Sequence, residues 1–314
     1  VAVFMAALAI PEAFNDLDGG LHGPLVLALT YTAVRVLHLV LYVYAAGNDR
    51  PLRRQIGKLT VVAVLGAALV ITGALLGGTA QTWFWLAGMV LDTTITFLIS
   101  RHGNWRIHSA AHWTERYALV VILALGESIV SIGVGASELP VSVPVLAGAA
   151  AGICLSIGLW WLYFDVTAVA AEHRFAALRG SARSSAAVEA YTYLHLPMVA
   201  GVVLAALEVE DALAHVEDGK ALGQLGFFAL FAGPALYVLS SAAFWRRMGG
   251  GWKKWRLGTA ALLLALLAVQ PPLPSLAALV LVAAVIAALM GLESVRYAGA
   301  RGRIRGMHAA ESAE

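Results

Sequence analysis

Eight apolar stretches, at residues 24–46, 57–78, 80–100, 114–136, 143–168, 189–208, 222–244 and 275–296, dominate the chain. Each is close to the roughly 17–25 residues that an α-helix needs to cross the hydrocarbon of a bilayer. Inside hydrocarbon a segment must satisfy its own backbone N–H and C=O groups, so helix is the conformation each stretch has to take. Two lesser stretches join them: residues 1–14 read as the end of a further span, and 255–270 is short and closed by Pro271 and Pro272. The expected fold is therefore all-α, a polytopic transmembrane helix bundle of about ten spans. It forms one domain over residues 1–296, its first span partial, and a short basic, disordered cytoplasmic tail follows at 297–314.

Composition excludes the main alternative. With 60% hydrophobic and 13% charged residues among 314, a water-soluble domain could not hide its apolar surface in one core. The lone cysteine, Cys154, rules out an internal disulfide and a cysteine-based metal site, and its apolar setting reads as packing. A net charge of +2 is no sign of nucleic acid, because the basic residues fall in short loops between apolar segments. The chain opens on Val1 and runs directly into VAVFMAALAI, which reads as a fragment lacking its amino-terminal part.

The loops carry an orientation. Lys and Arg gather in five of them: Arg50 to Lys58, Arg101 and Arg106, Arg174 to Arg183, Arg246 to Arg256, and Arg296 to Arg305, together 18 of the 21 basic residues. The intervening loops hold Asp16 and Asp18, then neutral GGTAQT, Glu138, the run from Glu208 to Asp218, and neutral QPPLP. Basic loops stay on the cytoplasmic side, so this alternation requires both lesser spans and places the carboxyl terminus in the cytoplasm of a cell whose inner membrane holds the chain. Trp83, Trp85, Trp245, Trp252 and Trp255 fall near the predicted interfaces, and Gly223, Gly226 and Gly233 suit close approach of helices.

Function has to be sought in the charges that remain inside the spans. Each costs about 2.5–3.5 kcal/mol at the bilayer centre even on lenient scales, unless it finds a partner, water or neutralisation. Arg35 stands mid-span with His38 at i+3; Asp92 is mid-span with Thr96 at i+4; Glu127 is mid-span with Ser131 on its face. Asp165, His195 and the Glu115/Arg116 pair lie nearer the cytoplasmic ends, where they would line an inward-facing hydrated cavity. The plain alternative is internal pairing of Arg35 with Asp92 or Glu127, which fixes helix register and moves nothing.

His108, His112 and Glu115 share one side of a helix at i, i+4 and i+7, a spacing able to hold a metal. Solvated loop residues or a helix cap explain them more simply, so no metal is expected. There is no P-loop, dinucleotide glycine fingerprint, H-E-x-x-H or G-x-S-x-G, and no lysine in the interior of any span for a retinal Schiff base. No cofactor is expected, and the non-enzymatic reading is preferred.

The segment HWTERYALVVILALGESIVSIG, residues 112–133, resembles the central signature of the bacterial low-temperature-requirement A (LtrA) family of membrane proteins. FMAALAIPEAF at 4–14, WWLYFD at 160–165 and YLHLPMVAG at 193–201 extend the resemblance over most of the chain. On it, His112, Glu115, Arg116, Gly126, Glu127, Ser128, Asp165, His195 and Pro197 occupy family motif positions. The acidic-aromatic E-L-F-F-D-L-V-F motif with which such proteins begin is absent here, which implies that about two earlier spans are missing. The family name records a growth requirement in the cold and carries no settled activity.

Three readings follow. The first is an ion-, proton- or solute-handling transporter with Glu127 as the central carboxylate, Asp92, Asp165 and His195 as cavity or relay groups, Arg35 as a counter-ion or anion contact, and Ser128, Glu115 and Arg116 as further binding candidates. Its partners would be the lipid bilayer and a small solute or ion. The second is a membrane sensor or scaffold whose buried charges are structural, and the third an intramembrane enzyme acting on lipid. ALGESIVSIG at 124–133 and ALMGLESVRYAG at 288–299 echo one another, with too few shared letters to establish an inverted repeat. The sequence leaves the oligomeric state open.

Overall fold

The computed structural model describes residues 20–101, 105, 107, 109–137, 139–219, 221–299 and 302. The expected first span at 1–14 and nearly all of the carboxyl-terminal tail lie outside them. The chain forms two compact units, Val1–Arg106 and Ile107–Glu314.

The first unit contains α1 (Gly23–Ala46), α2 (Arg50–Leu76) and α3 (Gly78–Ser100). Local chemistry sets the helix starts: Asp49 accepts a hydrogen bond from the Leu52 N–H at 3.2 Å, with Pro51 in the first turn, and His22 Nδ1 caps α1 in the same way ahead of Pro24. Gly77 and Gly78 both adopt positive φ, which folds α3 back along α2. The two helices then pack closely enough that a Cβ on Gly73 would lie 2.7 Å from the Trp85 ring, while the Trp85 indole donates to the Val70 carbonyl at 2.9 Å.

The second unit contains α4 (Ala110–Ala136), α5 (Val143–Phe164), α6 (Thr167–Ala177), α7 (Gly180–Ala186), α8 (His195–Ala214), α9 (Gln224–Arg247), α10 (Lys254–Val269) and α11 (Ser275–Arg296). A π-helical stretch, Ala187–Tyr193, joins α7 to α8. Its core is aromatic where the helices converge, with Tyr163, Phe175, Tyr191, Phe231, Tyr237 and Phe244 all fully buried. The helices α8 and α9 meet backbone to backbone: a Cβ on Gly201 would lie 2.5 Å from the Gly233 carbonyl oxygen, and one on Gly233 would lie 2.8 Å from that of Gly201. Pro234 is accommodated inside α9 at this contact. Within lipid such approach supplies the dispersion contact that apolar burial alone does not. Cys154, expected to pack, is instead exposed on α5.

Eight helices among the described residues are long and apolar enough to cross a membrane, and they coincide with the eight main apolar stretches. The expected count of about ten is corrected accordingly. The second lesser stretch does form a helix, α10, but its 16 residues rise only about 24 Å against a hydrocarbon core of about 30 Å. It stops at Gln270, in the left-handed region at φ 46°, before Pro271 and Pro272. It nevertheless returns the chain to the end where α9 began, since Pro274 pairs with Ala221 in an isolated antiparallel bridge.

Candidate functional site

At the end of the second unit where α5, α9 and α11 finish and α10 starts lies a cavity of about 500 Å³. Its charged lining comes from four places: Asp165 at the end of α5, His173 and Arg174 on α6, Lys253 and Arg256 at the start of α10, and Glu293 in the last turn of α11.

Arg256 is 1% exposed and fully engaged. Its Nε and Nη2 grip the two Glu293 carboxylate oxygens at 2.9 Å each, Nη1 donates to Ser241 at 3.0 Å, and Nη2 also reaches the Leu162 carbonyl at 2.7 Å. The fork geometry of guanidinium against carboxylate makes this the strong form of an ion pair. It ties α5, α9, α10 and α11 together at one point.

Lys253 is 7% exposed and held more loosely. Its ammonium donates to Thr167 Oγ1 at 3.3 Å and stands 3.6 Å from Glu293, a carboxylate already claimed by Arg256. It lies 5.0 Å from the Trp245 ring centre, and the Arg174 guanidinium lies 4.5 Å from the same ring. Burial, then the charge of Arg256, pushes Lys253 down from 10.5 to about 7, with Glu293 and Asp165 pulling the other way. Lys253 therefore gains and loses its proton near neutrality.

The residues singled out in the sequence are dispersed. In the first unit Arg35 pairs with Asp92, which also accepts from Tyr31 and, at 3.4 Å, from Thr96, so the choice between Asp92 and Glu127 falls to Asp92. In the second unit Asp165 lines the cavity, whereas His195 is 2% exposed inside an aromatic enclosure of Tyr117, Tyr163, Tyr191 and Phe244. Its Nδ1 faces the Ala190 carbonyl at 3.1 Å and so carries the proton, leaving Nε2 to accept from the Tyr163 hydroxyl at 2.8 Å. The π-helical turn brings Ala190 into this register. Ser128 is buried and bonds to the Leu125 carbonyl and to Ser156. Glu127, Glu115 and Arg116 stand on the exposed side of α4. Ser131 is buried although it follows Glu127 by four residues, since that step leaves an offset of about 40° around the helix. His112 and Glu115 approach to 3.7 Å on the exposed surface, and His108 lies outside the described residues.

Sequence reasoning missed Lys253, Arg256 and Glu293. Arg256 and Lys253 read as loop charges, yet Glu293 carried a signal: a carboxylate in the last turn of an apolar span faces the negative end of the helix dipole and needs a cation from elsewhere.

Eight helices of spanning length and apolar composition among the described residues define a multi-pass membrane protein. The chain matches the family described as Bacterial low temperature requirement A protein (LtrA) over residues 1–291, and it belongs to that family. It is also 27% identical over 245 residues to the uncharacterised protein RA0937 of Rhizobium meliloti (strain 1021), a match covering 74% of this chain and 56% of the relative. The chain thus spans about half the length of the curated relative it matches. No solved structure matches it.

Proposed function

We propose that this protein handles an ion, a proton or a small solute at the membrane, and that the cavity at the end of the second unit is where it does so. One observation carries the reading: a cavity of about 500 Å³, large enough for an organic molecule, is lined by acidic and basic groups at the end of an apolar helix bundle. Burying the Lys253 ammonium there is costly, and a bound anion or the loss of its proton relieves that cost. The basic loops at this end support its facing the cytoplasm of the inner membrane. Asp165 lines the cavity at the end of α5 and is the carboxylate to test first; Glu127, exposed on α4, enters as a second.

The test is flux in proteoliposomes loaded with a pH-sensitive dye, with ion gradients varied from outside. Flux above that of protein-free vesicles, lowered at least tenfold by Asp165→Asn, is the expected result; leakage equal to that of protein-free vesicles overturns the reading. Flux unchanged in Glu127→Gln removes Glu127 from the role. A second reading, a scaffold or sensor with structural charges, draws support from Arg35 and Arg256, each of which has a carboxylate partner.

A further inference from the structure

The cavity holds more than it needs for internal neutrality. Three cations, Arg174, Lys253 and Arg256, face two carboxylates, Asp165 and Glu293. Glu293 is gripped by Arg256 through both oxygens and shared with Lys253 at 3.6 Å, so with Asp165 the only other carboxylate of the lining, one positive charge is in excess. Lys253 and Arg174 both lie on Trp245, at 5.0 and 4.5 Å from its ring centre, and the wall continues in Trp161 and Trp252. The first turn of α10 opens beside them, with Lys253 at its N-cap and no side chain capping it, so its free N–H groups add to the positive field.

We propose that the cavity binds an amphipathic organic anion, with its acid group on Lys253 and Arg174 and its apolar body against the tryptophans. This deepens the reading above and rests on it for the cavity's use. An anionic lipid headgroup and a soluble organic acid present the same chemistry to the site. A halide would leave most of the volume unfilled, and a neutral lipid would leave the excess charge unmet.

Lys253 near its own midpoint gives the site a proton dependence, because an anion favours the charged ammonium. The groups facing it are Arg256 on its own helix, Glu293 of α11, Asp165 at the end of α5, and Thr167, His173 and Arg174 from α6. His173 lines the same wall, so His173→Gln is the control.

The experiment follows tryptophan fluorescence of the full chain in detergent during titration with benzenesulfonate, whose charge does not vary between pH 6 and 8, and in nanodiscs carrying brominated phosphatidylglycerol or brominated phosphatidylcholine. Saturable quenching is expected, about tenfold tighter at pH 6 than at pH 8 for a lysine with its midpoint near 7, with the difference kept in His173→Gln. Lys253→Met, which leaves the Arg256–Glu293 pair intact, should weaken binding at least tenfold, as should Arg174→Ala on the exposed side of α6. Quenching by benzenesulfonate alone identifies a soluble acid, and by the anionic lipid over the neutral one a headgroup. No saturable quenching by either, or quenching untouched by both variants, overturns the inference. Binding without flux in proteoliposomes sinks only the transport reading.

Discussion

A guanidinium buried among four helices is stable only while its donors are met, and Arg256 has its donors met by Glu293, Ser241 and the Leu162 carbonyl. Arg256→Met should therefore cost about 3–5 kcal/mol, most of it from stranding the Glu293 carboxylate beside a loosely held Lys253. The double variant Arg256→Met/Glu293→Leu should recover much of that loss. Thermal unfolding in detergent checks both, and a double variant no more stable than the single one would place the cost outside the pair. At this scale the sequence was partly legible. Depth alone narrowed the partner of mid-span Arg35 to Asp92 or Glu127, and the fold decides for Asp92. Arg256 and Glu293 could not be paired in this way: one begins a helix and the other ends one, 37 residues on, and only the fold brings them to 2.9 Å.

Helices were legible as elements because hydrocarbon leaves the backbone no other way to satisfy itself, and length marks each span. Their neighbours were not, since an apolar helix in lipid has no polar face to orient it. Small residues carry that information instead, and two glycines of α9 show how it differs from site to site. A Cβ on Gly233 meets the Gly201 carbonyl and the Ala205 backbone nitrogen, groups that move only if α8 moves. A Cβ on Gly226 meets the Glu208 carboxylate at 2.5 Å, the end of a side chain on α8. Gly226→Ala should thus destabilise by about 1–3 kcal/mol and be relieved by adding Glu208→Ala, whereas Gly233→Leu should find no rescue in side-chain truncation. Unfolding of the three variants in detergent decides the matter, and Gly226→Ala left unrelieved would show that the carboxylate is not the obstacle.

Across the whole folded chain, stability should respond to pH through Lys253, the cation that joins α6, α10 and α11 at the cavity. Its folded midpoint is about 7, while an unfolded lysine titrates near 10.4. Below 7 both states carry the proton and the folded state bears the full cost of a buried charge. Between the two values the unfolded chain binds more protons, so stability rises with pH, by at most about 1.4 kcal/mol per unit. Above 10.4 the slope from this group ends. Lys253→Met should remove the rise while raising stability at pH 7, since it leaves Arg256 paired with Glu293 and withdraws a charge the core holds poorly. An anion seated at the site stabilises the charged ammonium, so saturating benzenesulfonate should flatten the same rise and lift stability most on the acid side. Thermal unfolding from pH 6.5 to 9.5, with and without the sulfonate, separates these effects. A slope that persists in Lys253→Met would assign the proton to another group, and His173→Gln identifies whether that group is the histidine of the same wall.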